Sequence, residues 1–251
     1  MRALAVIPAR LGATRLPRKP LRLLAGLPLV VRVWQRVSET GVADRVVVAT
    51  DSEEVATVAR EHGAETVMTR SSHPSGTDRV AEVAALTEFR DFGAIINVQG
   101  DEPFVSAQAL AGAAELVRSS RFALGTVAVP APREILDNPH VVKVVADDQG
   151  RAMYFSRAPI PFLQHERDAE TQRAHVWQHI GVYAYTADAL RRWVALPVNP
   201  LEQIERLEQL RPLAAGMAMG VALIDEPFRP GIDTEQDLER ANEQWTAFTT
   251  G

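Results

Sequence analysis

An α/β fold with a mostly parallel sheet is predicted by three features of the 251-residue chain. Short apolar runs rich in Val and Ile alternate with amphipathic helical segments through its first half. The first run, Ala3–Pro8, is apolar at every position, as a strand covered on both faces requires. Polar loops follow the ends of the runs, where an open α/β sheet gathers its ligands.

The elements follow in order. Ala3–Pro8 is the first strand. Leu29–Val37 is a helix with Arg32, Gln35 and Arg36 on its polar side. Arg45–Thr50 is the second strand. Asp51 or Ser52 caps the next helix, Glu53 and Glu54 suit its N-terminal dipole, and Gly63 ends it. Ala64–Thr69 is a strand, Thr77–Thr87 a helix, Ala94–Val98 a strand, and Ser106 caps a helix to Val117. The second half has strands at Ala123–Val129, Val141–Ala146, Ala152–Phe155 and Ile180–Tyr185 with less helix between them, so antiparallel additions are expected. Ile160–Glu170 is irregular, Glu202–Leu210 is a short helix and Met217–Ile224 a late strand. Thr234 and Asp237 form a capping box opening the last helix, Glu235–Phe248. There is no repeat or linker. A single domain over residues 1–251 is expected, with an inserted sub-region at about 130–200.

Composition excludes several classes. Hydrophobic residues make up 46% and charged residues 24%, the balance of a globular chain. Net charge is −5, so no general positive field recruits nucleic acid. No cysteine is present, which removes disulfides, thiolate metal sites and thiol nucleophiles. The apolar start is cut by Pro8 and Arg10, too early for a signal-peptide core, and no run approaches the ~18 apolar residues of a membrane span. A cytoplasmic protein without membrane insertion is expected.

The loop after the first strand, Pro8–Pro20, holds Arg10, Arg15, Arg18 and Lys19 around Gly12. It matches neither the dinucleotide nor the P-loop glycine pattern. Four cations on a proline-stiffened loop suit a triphosphate, although most basic runs are solvated faces. Lysine usage favours the first reading. Of 27 basic residues only Lys19 and Lys143 are lysines, and a lysine among arginines marks a place for a compact point charge. After the fourth strand, Gly100 allows close backbone approach and Asp101 stands at the tip, as a hard-cation ligand or as a turn residue before Pro103. Asp233 precedes the last helix. Thr234 supplies the cap, which leaves Asp233 available for a second carboxylate ligand. The spacing of Glu202, Glu205 and Glu208 predicts an acidic stripe on one helix, which a salt-bridged surface also explains.

Nine segments together resemble the cytidylyltransferases for 3-deoxy-D-manno-octulosonate (Kdo), the CMP-Kdo synthetase family. In chain order they are IPARLGATRLPRKPL, VVVATD, MTRSSHPSGTDR, INVQGDEPF, NPHVVKVV, YFSRAPIP, HIGVYAY, PLEQIERLEQLR and GIDTEQDLE. The family's first loop has an aromatic where Leu11 stands and a glycine where Arg18 stands. The resemblance implies a Rossmann-like, nucleotide-diphospho-sugar transferase sheet and transfer of CMP from CTP to Kdo, with pyrophosphate released, for lipopolysaccharide synthesis. It implies nucleotide contacts at Arg10, Thr14, Arg15, Lys19, Thr69, Arg70, Ser75, Gly76 and Asp101, with Asp101, Lys19 and Arg10 catalytic. Sugar-acid contacts fall on Arg79, Gln99, Arg157, His179, Tyr183, Glu208 and Gln209. Asp101 and Asp233 would hold Mg²⁺, and relatives of this kind are typically homodimers, the 130–200 sub-region serving sugar acid and dimer contacts. A neutral His179 is expected to donate to a sugar hydroxyl. The alternatives are a cytidylyltransferase for 8-amino Kdo or sialic acid, and a non-catalytic nucleotide-binding regulator.

Overall fold

A computed structural model describes residues 1–12, 15–226 and 229–249. In chain order its elements are β1 (Ala3–Ala9), β2 (Leu23–Leu24), β3 (Leu27–Pro28), α1 (Leu29–Glu39), β4 (Arg45–Thr50), α2 (Glu53–Glu61), β5 (Glu65–Met68), α3 (Gly76–Ala85), β6 (Ala94–Asn97) and α4 (Ala107–Arg118). There follow β7 (Leu124–Pro130), β8 (Lys143–Ala146), β9 (Ala152–Ser156), α5 (Ala169–Arg173), β10 (Trp177–Tyr185), α6 (Ala187–Ala195), α7 (Pro200–Glu205), α8 (Leu210–Ala214), β11 (Met219–Leu223) and α9 (Glu235–Thr249). The chain divides into two compact units, residues 1–110 with 229–251, and residues 111–228.

In the first unit β6, β1, β4 and β5 pair side by side, all parallel. β1 is almost wholly buried, which explains its unbroken apolar run. α1, α2 and α3 cover the sheet, with Val31, Val33, Val55, Ala59, Val80 and Val83 facing inward. Helix starts are fixed locally. Ser52 Oγ accepts from Val55 N, and Ser75 Oγ from Asp78 N. Thr234 Oγ1 accepts from Asp237 N while the Asp237 carboxylate accepts from Thr234 N, the expected box. Successive strands run outward from β1 through β4 to β5, then the chain returns to place β6 on the other side of β1. That reversal opens a crevice beyond the carboxyl ends of β1 and β6.

The second unit is built differently. β11 is parallel to β7, but β10 is antiparallel to both β7 and β8, and β9 is antiparallel to β8. The expected antiparallel additions are therefore present. The β10–β7 register slips between Ile180 and Tyr183, and such irregularities re-aim side chains. Two expectations are corrected. The helix expected over 202–210 stops at Glu205, because Arg206 takes a left-handed conformation (φ 56°) and ends α7, and α8 starts only at Leu210. The stretch after Tyr185, given no element above, forms α6, capped by Thr186 Oγ1 on Ala189 N. The 160–170 region ends in the short helix α5.

Candidate functional site

The crevice of the first unit is a cleft of about 380 Å³. Pro8–Arg10 form one wall at the end of β1, Gln99–Asp101 a second beyond β6, and Ser75–Gly76 a third at the start of α3. Close backbone approach shapes it. A Cβ on Gly100 would stand 2.7 Å from the Pro8 carbonyl oxygen, so only glycine lets these two loops meet. Gly231 is also crowded, with Asp101 O 3.0 Å from where its Cβ would be. Ile232 N donates to Asp101 O at 2.9 Å. This contact sets Asp233 beside Asp101, although 132 positions separate them.

The charged groups converge. The Lys19 ammonium is hydrogen-bonded to the Asp101 carboxylate and, at 2.8 Å, to Asp233 Oδ1. Arg15 pairs with Asp233 Oδ2 at 3.0 Å, and Arg10 lines the same cleft. Burial pulls the Lys19 pKa down, but the two aspartates outweigh it and hold the ammonium above its usual value. The adjacent Glu102 is pushed up to about 8 by burial, with Asp101 and Asp233 adding to the effect. Lys19 opens a single 3₁₀ turn, and its lead-in residue Arg18 is in the left-handed region (φ 56°). That is the conformation glycine adopts most readily.

Of the residues predicted for the nucleotide, Arg10, Arg15, Lys19, Ser75, Gly76 and Asp101 line this cleft, as do Asp233 and the two sugar-acid candidates Arg79 and Gln99. Thr14 lies outside the described residues. Thr69 and Arg70 are not in the lining. Thr69 is buried behind it, accepting from the Arg79 guanidinium, which also faces Asp51 at 3.4 Å. Arg70 is exposed, its backbone N–H donating to Glu82 at 3.1 Å. His73 is a lining residue that sequence reasoning left out. It bonds Glu82, nine positions on, and no periodic pattern announces a loop-to-helix pair of that spacing. Burial raises the Glu82 pKa, but its bonds to His73 and to the Arg70 backbone overcome this and lower it.

The remaining sugar-acid candidates lie in the second unit. His179 is buried and neutral, its pKa depressed by burial to about 3. Its ring meets Phe155 edge-on at 4.9 Å and lies 5.5 Å from Tyr183. Nε2 is 2.9 Å from the Thr126 hydroxyl, which itself donates to Val182 O at 2.8 Å. Thr126 therefore accepts from Nε2–H. The imidazole is neutral as expected, but its donor is already engaged, and Nδ1 presents a lone pair instead. Burial, then Tyr185 and Glu208, raise the Tyr183 hydroxyl well above its usual pKa, so it stays a donor. Gln209 is buried. Arg157 is held at three points: its N–H by the Glu205 carboxylate at 2.9 Å, Nε by Glu205 O at 2.8 Å and Nη1 by Pro139 O at 2.9 Å. The acidic stripe is not a stripe. Glu202 is clamped by Arg211 in a two-pronged pair at 2.8 and 2.6 Å, Glu205 turns to Arg157, and α7 ends before Glu208.

Comparison with known proteins identifies the family. A family profile described as "Cytidylyltransferase" matches residues 4–219. The 3-deoxy-manno-octulosonate cytidylyltransferase of Gemmatimonas aurantiaca is 61% identical over 98% of this chain and 95% of its own. That of Nitrosococcus oceani is 44% identical, covering 95% and 94%. Among solved structures, a CMP:2-keto-3-deoxy-manno-octonic acid synthetase complexed with CTP superposes with a TM-score of 0.90 at 35% identity, covering 98% and 99%. A 4-diphosphocytidyl-2C-methyl-D-erythritol synthase from Anaerococcus prevotii shares the fold alone, with a TM-score of 0.64 at 13% identity over 98% of each chain. On the profile match, the full-length relatives and the nucleotidyltransferase fold, the chain belongs to the 3-deoxy-manno-octulosonate cytidylyltransferase family.

Proposed function

We propose that this enzyme transfers CMP from CTP to the anomeric hydroxyl of Kdo. A bond forms between the hydroxyl oxygen and the α-phosphorus, the α–β bridging bond breaks, pyrophosphate leaves and the hydroxyl proton is lost. The product, CMP-Kdo, serves lipopolysaccharide synthesis. The observation that carries this reading is the convergence of Lys19, Arg15, Asp101 and Asp233 in one cleft, in a chain 61% identical to a relative named for that reaction.

Two anions must meet in this reaction, and the residues present suit that task. Arg10, Arg15 and Lys19 offset the triphosphate charge, and the N-terminus of α3 at Ser75 and Gly76 offers backbone N–H groups to an anionic ligand. Asp101 and Asp233 already share one cation, the Lys19 ammonium. Among the described residues no cluster of three or more acidic or imidazole ligands exists. Two carboxylates without a full cage fit Mg²⁺, which takes its remaining ligands from water and phosphate. Asp101 and Asp233 would hold it, and when bound it supplies positive charge to the phosphate oxygens and lowers the pKa of a coordinated hydroxyl. The sugar-acid contacts proposed are Arg157, Tyr183, Glu208 and Gln209, with Arg79 and Gln99. His179 Nδ1 accepts a hydrogen bond from a sugar hydroxyl.

The protein acts as a homodimer. Met153, Phe162, Val198 and Ile204 of the second unit are each more than half exposed, apolar side chains that a partner subunit would cover. Among the described residues no helix is long and apolar enough to cross a membrane, and CTP as substrate puts the reaction in the cytoplasm. Pyrophosphate release from CTP and Mg²⁺, measured against Kdo, 8-amino Kdo and sialic acid, tests the reading. A turnover preference for Kdo is expected. Preference for another acid, or no pyrophosphate with any of them, overturns it.

A further inference from the structure

Lysine is scarce here, and the cleft uses only one of the two. Lys143, at the start of β8, is fully buried. Its ammonium donates to three main-chain carbonyls, Asn138 O at 3.1 Å, Val141 O at 2.9 Å and Arg157 O at 2.5 Å. Three donors meet three acceptors, so the group has no hydrogen left for a ligand. Its role must therefore lie in what it holds.

What it holds is the seat of Arg157. One acceptor is Arg157's own carbonyl. The other two flank Pro139, whose carbonyl receives Arg157 Nη1. Glu205 closes the seat from the opposite side. Its carboxylate accepts from Arg157 N and from Ser156 Oγ at 2.5 Å, and its carbonyl takes Arg157 Nε. The guanidinium is thus fixed at Nε and at Nη1, on two different sides, and its Nη2 has no partner among the described residues. A tetrahedral ammonium can collect three carbonyls from three directions; a flat, larger guanidinium in an enclosed position cannot. The charges facing Lys143 are Glu205, Arg157 and Asp137.

We propose that Lys143, with Glu205, is the positioning residue for Arg157: the buried ammonium locks both Arg157's main chain and the 138–141 turn, so that Nη2 of the guanidinium is presented in one orientation to a carboxylate-bearing acceptor. The acceptor's identity rests on the function proposed above; the positioning does not.

Two readouts separate these parts. The first uses no substrate: the Arg157 Nε–H signal in a ¹H–¹⁵N spectrum, identified by its absence in Arg157→Lys. In Lys143→Met that signal should move to the region of solvent-exposed arginines. The second is kinetic. Lys143→Met should raise KM for the acceptor about tenfold, the scale of a mis-set charged hydrogen bond, and leave KM for CTP within about twofold. The double variant with Arg157→Lys should be no worse than Arg157→Lys alone. An unmoved signal in a folded Lys143→Met, or losses that multiply in the double variant, overturns the proposal. A moved signal with unchanged acceptor KM upholds the positioning and overturns the placement of Arg157 at the acceptor. Where Lys143→Met fails to fold, Glu205→Gln, which alters the seat from its other side, is read by the same two measurements. There, an unmoved signal with unchanged acceptor KM overturns the proposal.

Discussion

The two units use charge in opposite ways. In the first, Lys19, Arg15, Asp101 and Asp233 neutralise one another at a solvent-facing cleft, and Arg15 and Asp233 remain about half exposed or more. Such pairs contribute little to stability and exchange readily for a ligand's charges. In the second, Lys143 and the Glu202–Arg211 pair are nearly enclosed, and each is satisfied by the protein itself. Buried groups of this kind are costly to disturb and hold geometry. A charge paired in an open cleft marks a place where ligands are exchanged; a charge satisfied in the interior marks what aims the groups that touch them.

The sharpest break of this contrast is at the two aspartates. Asp101→Asn and Asp233→Asn should each lower kcat about a hundredfold or more while leaving the thermal midpoint nearly unchanged, because neither carboxylate packs in a core. The double variant should be little worse than the worse single one, as for groups acting as a unit. Steady-state rates with melting curves check this, and a large fall in melting temperature would move the pair into the structural class.

Lys19→Ala should weaken CTP binding about tenfold to a hundredfold, the loss of a charge-assisted contact. Titration calorimetry with CTP reads it, and unchanged affinity removes Lys19 from the nucleotide. Arg157→Ala should raise the acceptor KM about tenfold with CTP unaffected. A raised KM for CTP alone would reassign it.

The smallest effect is a pH dependence in the second unit. His179 has a folded-state pKa of about 3 against 6.5 for the free imidazole. Between those values the unfolded chain takes up a proton that the native state refuses. Its contribution is fully present above about 6.5 and is lost as pH falls toward 3. His179→Gln, which retains a donor for Thr126, should therefore lose less stability between pH 7 and pH 5 than the parent. Urea unfolding at both pH values measures it, and equal losses would show that His179 titrates normally in the folded chain.

Much of the first unit is legible without coordinates. β1, β4 and β6 follow from apolar runs, and two helix starts follow from Ser52 and the Thr234–Asp237 box, because each signal acts within a few residues. The second unit reads less well. The break at Arg206 carries no glycine or proline to announce it, and α6 has only Thr186 as a start signal.

The sequence by itself determined the alternation of strands and helices, the segments that carry the family resemblance, and the presence of two lysines among arginines. Only the tertiary structure decided that one lysine faces carboxylates in a cleft and the other three carbonyls in the interior. It also decided that the hydroxyl of Thr126 takes up the donor of His179, and that Glu205 turns to Arg157 while Glu202 turns to Arg211. The reason is physical. Caps and periodicities are set by neighbours in the chain, whereas Lys19 and Asp233 are 214 positions apart. Their meeting depends on strand order, on the Ile232–Asp101 backbone bond and on the space that Gly100 and Gly231 leave open.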